Sequence, residues 1–194
     1  VYTTDLLVHP ITCVKCFEAL KDEDVHKTII SVNGQAPQEV EYGTTLEQII
    51  PEAKAVRIGN RIWGAEVRTQ RLDESFPIEN GVIETYSDQE CVVKKAEEFV
   101  GKLREKCCGK CVFCREGLAQ IHEGLKDLTD GKAKLTDIDL MKELAEIMKR
   151  QSNCSLGQTA PGMILGLQEY FAEDIKEHLA GRCHTLACNA LVHY

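Results

Sequence analysis

The chain has 194 residues, of which 43% are hydrophobic and 28% charged, and its formal net charge is −8. This composition is typical of a soluble globular protein with one large or two small domains, and the negative charge argues against a nucleic-acid partner, which requires a basic face. No apolar run approaches the roughly 18 residues that span a bilayer, and the first residues lack the basic and apolar parts of a signal peptide. We therefore expect no direct membrane insertion.

Ten cysteines without a secretory signal favour a reducing compartment, the cytoplasm or an organelle matrix. In such a compartment, metal binding is a better explanation of the cysteines than disulfides. Residues 1–27 are interpreted as a lead-in segment that contains a CxxC pair, Cys13 and Cys16. We interpret this pair as helix-borne thiols packed near a partner; a metal shared with another chain and a redox-active pair are the alternatives.

Residues 28–87 have short, strand-like apolar runs at 28–32, 56–58, 61–63 and 82–86. Asn33-Gly34 and Gly59-Asn60 indicate turns, since these residues tolerate positive φ. One helix is predicted between them, with Thr44 and Glu47 as a capping box and Pro51 as its stop. A hairpin, a helix and further strands in about 60 residues predict a small β-grasp-like domain and an α+β fold class.

Residues 88–181 change to helical periodicity. The first helix is predicted after a capping box of Ser87 and Glu90, the second contains Leu118 to Leu128, and the third follows Thr136. A fourth helix is predicted from Thr159 to Gly181. Short connections between four amphipathic helices predict an antiparallel four-helix bundle, followed by a C-terminal tail at 182–194.

The strongest chemical signal is a triplet of cysteines at two-residue gaps, Cys108, Cys111 and Cys114, with a fourth, Cys154, far along the chain. Three thiolates from one loop and one from a distant segment are typical of an iron–sulfur cluster, whereas structural zinc usually takes separated pairs. The triplet lies between the first two predicted helices and Cys154 between the last two, so an antiparallel bundle would bring both connections to one end. Zinc binding or buried free thiols are the alternatives, and Arg115 could add positive charge beside the cluster.

The sequence from Cys107 to Gly117, CCGKCVFCREG, resembles the Ser-Cys-Gly-x-Cys-x-Pro-Cys-Arg-x-Gly motif of the NADH-binding flavoprotein subunit of respiratory complex I and of related NAD-dependent hydrogenases and formate dehydrogenases. Cys154-Ser155-Leu156-Gly157 is similar to the family's fourth-ligand segment. The resemblance implies a 4Fe–4S cluster on Cys108, Cys111, Cys114 and Cys154, and a soluble-ligand-binding β-grasp domain at 28–87. Cys107 and Phe113 depart from the usual Ser and Pro, and Cys107 could compete with Cys108.

The same resemblance implies neighbours for this chain: a flavin- and NAD-binding domain or subunit, a thioredoxin-like 2Fe–2S subunit and further iron–sulfur subunits. The family's flavin domain is rich in glycine, but this chain has no Gly-x-Gly dinucleotide fingerprint. FMN and NAD are therefore expected only on a neighbouring domain or subunit. We also find no nucleophile–base pair that would predict a catalytic site.

A second group of candidate ligands involves the tail, where His178, Cys183 and Cys188 recur at five-residue intervals. Cys91, at the start of the first bundle helix, could supply a fourth ligand, and His184 is an alternative. Three thiolates and one imidazole would form a closed tetrahedral zinc site. The tail resembles that of the hydrogenase and formate dehydrogenase relatives; ordinary half-buried thiols remain the alternative.

These observations predict an electron-transfer module of a multi-subunit NAD(P)H-linked oxidoreductase. Its cluster would relay single electrons between a flavin held elsewhere and further iron–sulfur centres. One alternative is that the chain is a fragment of a complete FMN-containing NADH dehydrogenase. The other is a non-redox assembly module that metal stabilises.

Overall fold

The structure, a computed structural model, describes residues 27–73, 76 and 81–191. The CxxC pair of Cys13 and Cys16 lies outside these residues, so its interpretation stays a prediction. Five strands form one mixed sheet in the order β2-β1-β5-β3-β4. The strands are β1 (Lys27–Val32), β2 (Gln38–Glu41), β3 (Ala55–Ile58), β4 (Arg61–Gly64) and β5 (Val82–Tyr86). The central pair, β1 and β5, is parallel, and the remaining pairs are antiparallel.

Both predicted turns are confirmed. Asn33 and Gly34 have φ values of 50° and 73° between β1 and β2, and Gly59 has a φ of 57° between β3 and β4. Strand β2 was not predicted, because its sequence, Gln-Glu-Val-Glu, is largely polar and exposed. Its place at the sheet edge explains how so polar a segment can be a strand.

The helix predicted after Thr44 is wrong in type and in its cap. The segment forms only a short 3-10 helix, Leu46–Gln48, and the backbone N–H of Thr45 donates to Gln48 Oε1 at 3.0 Å. The capping pair is therefore Thr45 and Gln48 rather than Thr44 and Glu47. Leu46 N donates to Gln70 O at 3.0 Å, which ties the start of this helix to the segment after β4. Pro51 cannot continue the helix, because it lacks an N–H.

Three long helices lie where the periodicity predicts them: α1 (Val92–Lys106), α2 (Val112–Thr129) and α3 (Leu135–Gln151). Their buried positions follow the predicted apolar stripe. Ser87 and Glu90 do hydrogen-bond, with Ser87 N donating to Glu90 Oε2 at 2.9 Å, but they form a turn before the helix. Cys91 is the N-cap of α1, and its sulfur accepts a hydrogen bond from Lys94 N.

The single helix predicted from Thr159 to Gly181 is wrong, because this stretch contains breaks. It follows a short helix α4 (Ser155–Thr159) and divides into α5 (Gly162–Tyr170) and α6 (Ala172–Leu179). Pro161 precedes α5, and Phe171 leaves helical geometry with φ −126° and ψ 36°. Gly181 does end the last helix, as predicted, with a φ of 73°.

The break at Pro161 lets α5 lie directly on strand β4. A Cβ at Gly166 would stand 2.1 Å from the Ile62 carbonyl oxygen, and one at Gly162 would stand 3.1 Å from the Asn60 oxygen. Glycines four residues apart share one helix face, so this face of α5 brings its backbone close to the backbone of β4. We call this contact the α5–β4 seam.

The core has two parts, one on each side of the sheet. One face packs Ile30, Val56, Ile83 and their neighbours against the segment around Leu46. On the other face, Ala55, Ile62 and Tyr86 belong to the same buried cluster as the helices. No helix in the described ranges is long and apolar enough to cross a membrane.

Candidate iron–sulfur and metal centres

The cysteines of the described residues fall into two groups, one at each end of helix α1. Cys91 caps its N-terminus, and Cys107 caps its C-terminus immediately before Cys108. A helix of 15 residues is about 22 Å long at 1.5 Å per residue. We call Cys108, Cys111, Cys114 and Cys154 the loop cysteines, and Cys91, His178, Cys183 and Cys188 the tail cluster.

Three of the loop cysteines occupy the connection from α1 to α2. Cys108 is exposed, Cys111 is the half-buried N-cap of α2, and Cys114 is buried in the first turn of that helix. Gly109 has a φ of 74°, a value that glycine adopts readily, and its oxygen accepts a hydrogen bond from Arg115 Nη1 at 2.8 Å. Arg115 therefore closes the loop on itself, although its charge is shared with Glu116 at 2.8 Å.

The fourth loop cysteine comes from the connection after α3. Cys154 is exposed and is the N-cap of α4. Helix α4 contacts α2 through Gly157, where a Cβ would stand 3.1 Å from Cys114 Cβ and 2.5 Å from Ser152 Oγ. The absence of a side chain at Gly157 thus allows the two connections to meet, as the sequence predicts.

Backbone amides surround the Cys111 sulfur. Hydrogen bonds from the N–H groups of Cys114 and then Asn153 lower the pKa of this thiol, against a smaller opposing effect of burial. The Phe113 N–H and the Ser152 hydroxyl add to the lowering. Cys111 is therefore prepared to be a thiolate by donors from both connections.

Cys114 has the opposite environment. Burial, the neighbouring Cys107 and the negative charge of Cys154 and Cys111 raise the pKa of its thiol to about 12. The sulfurs of Cys107 and Cys114 are 3.5 Å apart. Several thiols crowded together without a cation cannot all ionise, and bound iron would relieve that repulsion.

The donor set and its surroundings fit an iron–sulfur cluster. The charges of Cys111 and Cys154, one from each connection, act on Cys114, and Cys108 lies in the same loop as Cys111. Amides point at Cys111, and buried Ser152 places a hydroxyl beside it. Among the described residues, Ser152 Oγ has no hydrogen bond of normal geometry. A buried hydroxyl without a partner is costly, and a sulfur acceptor at the site would satisfy it.

The tail cluster is a compact, fully buried set. One ligand atom from each of Cys91, His178, Cys183 and Cys188 lies within 4.8 Å of each of the others. His178 Nε2 is 3.3 Å from the Cys91 sulfur and 3.5 Å from the Cys188 sulfur. The sequence thus selected four residues that the fold brings together, and their occupancy by metal stays a prediction.

The His178 ring is oriented by its own helix. Nδ1 lies 2.7 Å from the Asp174 carbonyl oxygen, which can only accept, so Nδ1 carries a proton and Nε2 is the ring nitrogen that faces the sulfurs. This is the arrangement of a metal-ligating histidine whose second nitrogen is held by an oxygen. Lys54 Nζ donates to the Asp174 side chain at 2.6 Å and ties α6 to the sheet domain.

Charge is already separated within the tail cluster. A hydrogen bond from Cys188 lowers the pKa of the Cys91 thiol to about 3, with burial opposing and His178 assisting. Burial opposes protonation of His178, but the hydrogen bond and charge of Cys91 raise its pKa to about 9. The metal-free cluster therefore contains a thiolate–imidazolium pair.

The alternative ligand, His184, is not part of this cluster. It is partly exposed, and its Nδ1 lies 2.7 Å from Glu177 Oε2. Sequence reasoning also missed Ser152, Asp174 and Lys54, whose roles depend on contacts between distant segments. The position of Ser152 two residues before Cys154 was the only local signal for it.

Comparison with known protein families identifies residues 94–178 as matching the NADH-ubiquinone oxidoreductase-F iron–sulfur binding region. This range includes the four loop cysteines and His178. The resemblance stated from the motifs is therefore confirmed.

Two curated relatives cover most of this chain. It is 31% identical to the HndC component of the NADP-reducing hydrogenase of Solidesulfovibrio fructosivorans, over 80% of this chain and 36% of the relative. It is 28% identical to a component of the NADH-quinone oxidoreductase of Streptomyces coelicolor, over 78% of this chain and 38% of the relative. The chain thus spans less than two fifths of the length of these relatives.

The fold is similar to that of a chain in the crystal structure of an NAD+-reducing NiFe hydrogenase in its H2-reduced state. The TM-score is 0.73 at 21% sequence identity, and the match covers 79% of this chain and 29% of the other. At that identity the likeness concerns the fold alone.

Proposed function

Because residues 94–178 carry the NADH-ubiquinone oxidoreductase-F iron–sulfur binding region, we propose that the loop cysteines hold a 4Fe–4S cluster through which this protein relays single electrons. The observation that supports the proposal is the contact of the two cysteine-bearing connections at Gly157, which lies against Cys114 three residues after Cys154. The relay would serve a multi-subunit NAD(P)H-linked oxidoreductase. Relatives named as parts of a hydrogenase and of an NADH-quinone oxidoreductase support this assignment.

A bound 4Fe–4S cluster supplies one-electron chemistry, and the chain supplies position, burial and charge. Amides at Cys111 stabilise negative charge on its sulfur, and the Arg115 guanidinium holds the loop closed. Cys114 anchors the buried side, whereas Cys108 and Cys154 are exposed. Exposed Val112 and Phe113, beside Cys111, give this end an apolar surface from which a docked redox partner would exclude water.

The partners follow from the same proposal. A flavin- and NAD-binding domain or subunit would lie on one side of the cluster, and a thioredoxin-like 2Fe–2S subunit or other iron–sulfur subunits on the other. FMN and NAD would be bound by the neighbour. A reducing compartment, the cytoplasm or an organelle matrix, suits eight free cysteines among the described residues.

The division into domains belongs to the proposal as well: lead-in 1–27, β-grasp domain 28–87, iron–sulfur four-helix bundle 88–181 and tail 182–194. A mixed sheet with a parallel central pair supports the β-grasp assignment, and three long helices that pack together support the bundle. Limited proteolysis checks the boundaries. Cleavage should concentrate near 88 and leave 88–181 as one resistant unit, and cuts inside α2 or α3 would contradict the division.

The tail cluster favours a second proposal, that Cys91, His178, Cys183 and Cys188 bind zinc. Four ligand atoms within 4.8 Å, all buried and with Nε2 of the histidine facing the sulfurs, suit a closed tetrahedral site. Such a site leaves no position for substrate, so its role would be to fix the tail to the start of α1.

Both proposals are tested together on anaerobically purified protein, with iron, sulfide and zinc quantified and low-temperature EPR recorded after reduction. We expect about four irons per chain and a reducible signal, with zinc present in addition. Cys111→Ser should abolish the EPR signal and keep the zinc, and Cys183→Ser should do the reverse. Zinc alone at the loop cysteines would refute the relay and favour a non-redox assembly module. A single chain found to contain a flavin domain before Val1 would favour the NADH dehydrogenase fragment.

A further inference from the structure

Ser152 is a buried residue whose hydroxyl group lies beside the Cys111 sulfur and forms no hydrogen bond of normal geometry among the described residues. Its exposed fraction is 4%, and Oγ forms no bond of normal geometry with the part of the chain that the structure describes. The hydroxyl faces the Cys111 sulfur and lies across Gly157 from Cys114. It therefore borders the cluster site without being one of the four ligands.

Cys107 is a second side chain at the same site. As the C-cap of α1, its backbone N–H is bonded to Arg104 O at 3.1 Å, which fixes its position at the end of the helix. Its sulfur lies 3.5 Å from the Cys114 sulfur, within hydrogen-bonding distance for two sulfur atoms. In the metal-free protein either thiol can donate.

Iron binding would remove that ambiguity. A cysteine sulfur bound to iron has lost its proton and can only accept hydrogen bonds. Cys107 would then donate to Cys114, and the Ser152 hydroxyl would donate to the Cys111 sulfur that it already faces. Donors to a ligating sulfur stabilise the extra negative charge of a reduced cluster and so raise its reduction potential.

We propose that Ser152 and Cys107 are positioning residues of the cluster, whose side chains donate hydrogen bonds to the sulfurs of Cys111 and Cys114 and make the cluster easier to reduce. This inference rests on the proposed 4Fe–4S cluster. Under this proposal, two side chains that do not bind iron donate hydrogen bonds to the ligating sulfurs in addition to those from backbone amides.

The first test is Ser152→Ala, with Ser155→Ala as a matched control, since Ser155 is exposed and adjacent to Cys154. EPR-monitored redox titration of the loaded protein measures the midpoint potential, and iron content is measured on the same samples. At the wild-type midpoint, the ratio of reduced to oxidised cluster should fall on the order of threefold in Ser152→Ala, a factor at the small end of what one ordinary hydrogen bond contributes. Ser155→Ala should match the wild type.

The second test varies the strength of the hydrogen-bond donor at position 107 and measures the reduction potential of the cluster. Cys107→Ser offers a stronger donor and should raise the potential, whereas Cys107→Ala offers none and should lower it. Opposite signs around the wild type support donation, because a purely structural role would shift both variants in the same direction. Equal or absent shifts overturn it.

If Ser152→Ala fails to retain iron, the Cys107 variants still test whether a side-chain donor raises the reduction potential of the cluster. A wild type that binds no iron–sulfur cluster would overturn the proposed function and, with it, this inference. A fully loaded wild type whose variants all keep its potential would overturn the inference alone.

Discussion

The two cysteine groups at the ends of α1 use the same side chain in opposite surroundings. Among the loop cysteines, Cys108 and Cys154 are exposed and Cys111 accepts amide hydrogen bonds, whereas the tail cluster is buried and supplies its own counter-charge through His178. Exposure allows a redox partner to approach, and burial with a closed ligand set favours a structural metal. The environment of the sulfur, more than the number of cysteines, distinguishes the two sites.

The largest effect should come from opening the tail cluster. Cys183→Ser should remove the zinc and lower the free energy of unfolding on the order of 5 kcal/mol, since structural zinc contributes about 10–16 kcal/mol in zinc-finger peptides. Metal analysis and thermal unfolding measure this, and the iron content should not change. His184→Gln, an exposed neighbour, is the control. Equal stability and zinc content in the two variants would mean that the tail cluster holds no structural metal.

A smaller effect should follow from loosening α6 behind the histidine. Lys54→Met leaves the Asp174 carboxylate partly buried without its partner, and we expect a loss of about 1–3 kcal/mol, below the 3–5 kcal/mol of a fully buried pair. Zinc affinity should fall as well, because the Asp174 carbonyl orients His178. Lys176→Met breaks only an exposed pair and should cost less than about 0.5 kcal/mol. If both variants unfolded at the same temperature, the contact between Lys54 and Asp174 would not stabilise the tail.

A gain in stability is expected at Leu186, which lies between two tail ligands. Its φ of 61° is unfavourable for a residue with a Cβ, and its side chain is exposed. Leu186→Gly should stabilise the protein by about 0.5–1 kcal/mol, because glycine adopts this conformation without strain. Ala187→Gly, at a neighbouring exposed position without positive φ, should destabilise it. Denaturant unfolding resolves the two signs, and a loss in both would contradict the strain.

The smallest effect concerns protons in the metal-free protein. The pKa of Cys91 lies at about 3 and that of His178 at about 9, so the ion pair should persist between these values. The Cys91 contribution to stability is present above its unfolded pKa of 9.0 and disappears as the pH falls through about 3. The His178 contribution is present below 6.5 and disappears as the pH rises through about 9.

Ultraviolet thiolate absorbance, taken as the difference between the metal-free wild type and Cys91→Ser, checks this. One thiolate should remain at about pH 5, where an ordinary cysteine is protonated. The loop cysteine Cys114 should show no such signal, since its pKa is raised to about 12. If Cys91 titrated like a free thiol, the tail cluster would contain no thiolate–imidazolium pair, and its charge state would not differ from that of Cys114.

Sequence periodicity predicted the long helices because their buried faces repeat every three to four residues. It could not predict the breaks at Pro161 and Phe171 together, since Phe171 carries no glycine or proline signal and its geometry follows from contacts between elements. Strand β2 was missed because hydrogen bonding to β1, and not hydrophobic pattern, makes it a strand. The 3-10 helix at Leu46 is short because Pro51, which lacks an N–H, follows it closely.

The tail cluster could be selected from sequence because its members lie at predicted helix ends. Cys91 immediately precedes helix α1, and His178 stands in the last turn before Gly181. Ser152 was not selected from the sequence, and Cys107 was noted only as a residue that could compete with Cys108. Their significance depends on a burial and a sulfur–sulfur distance that exist only after α2, α3 and α4 have packed.

The α5–β4 seam cannot accommodate a larger side chain at Gly166. Because a Cβ at Gly166 would stand 2.1 Å from the Ile62 oxygen, even one methyl group would push α5 off the sheet. Helix α6 begins immediately after Phe171, so the push would reach His178 as a displacement of its whole helix. The close packing of α5 on β4 therefore helps to fix the position of α6, and with it the position of His178 in the tail cluster.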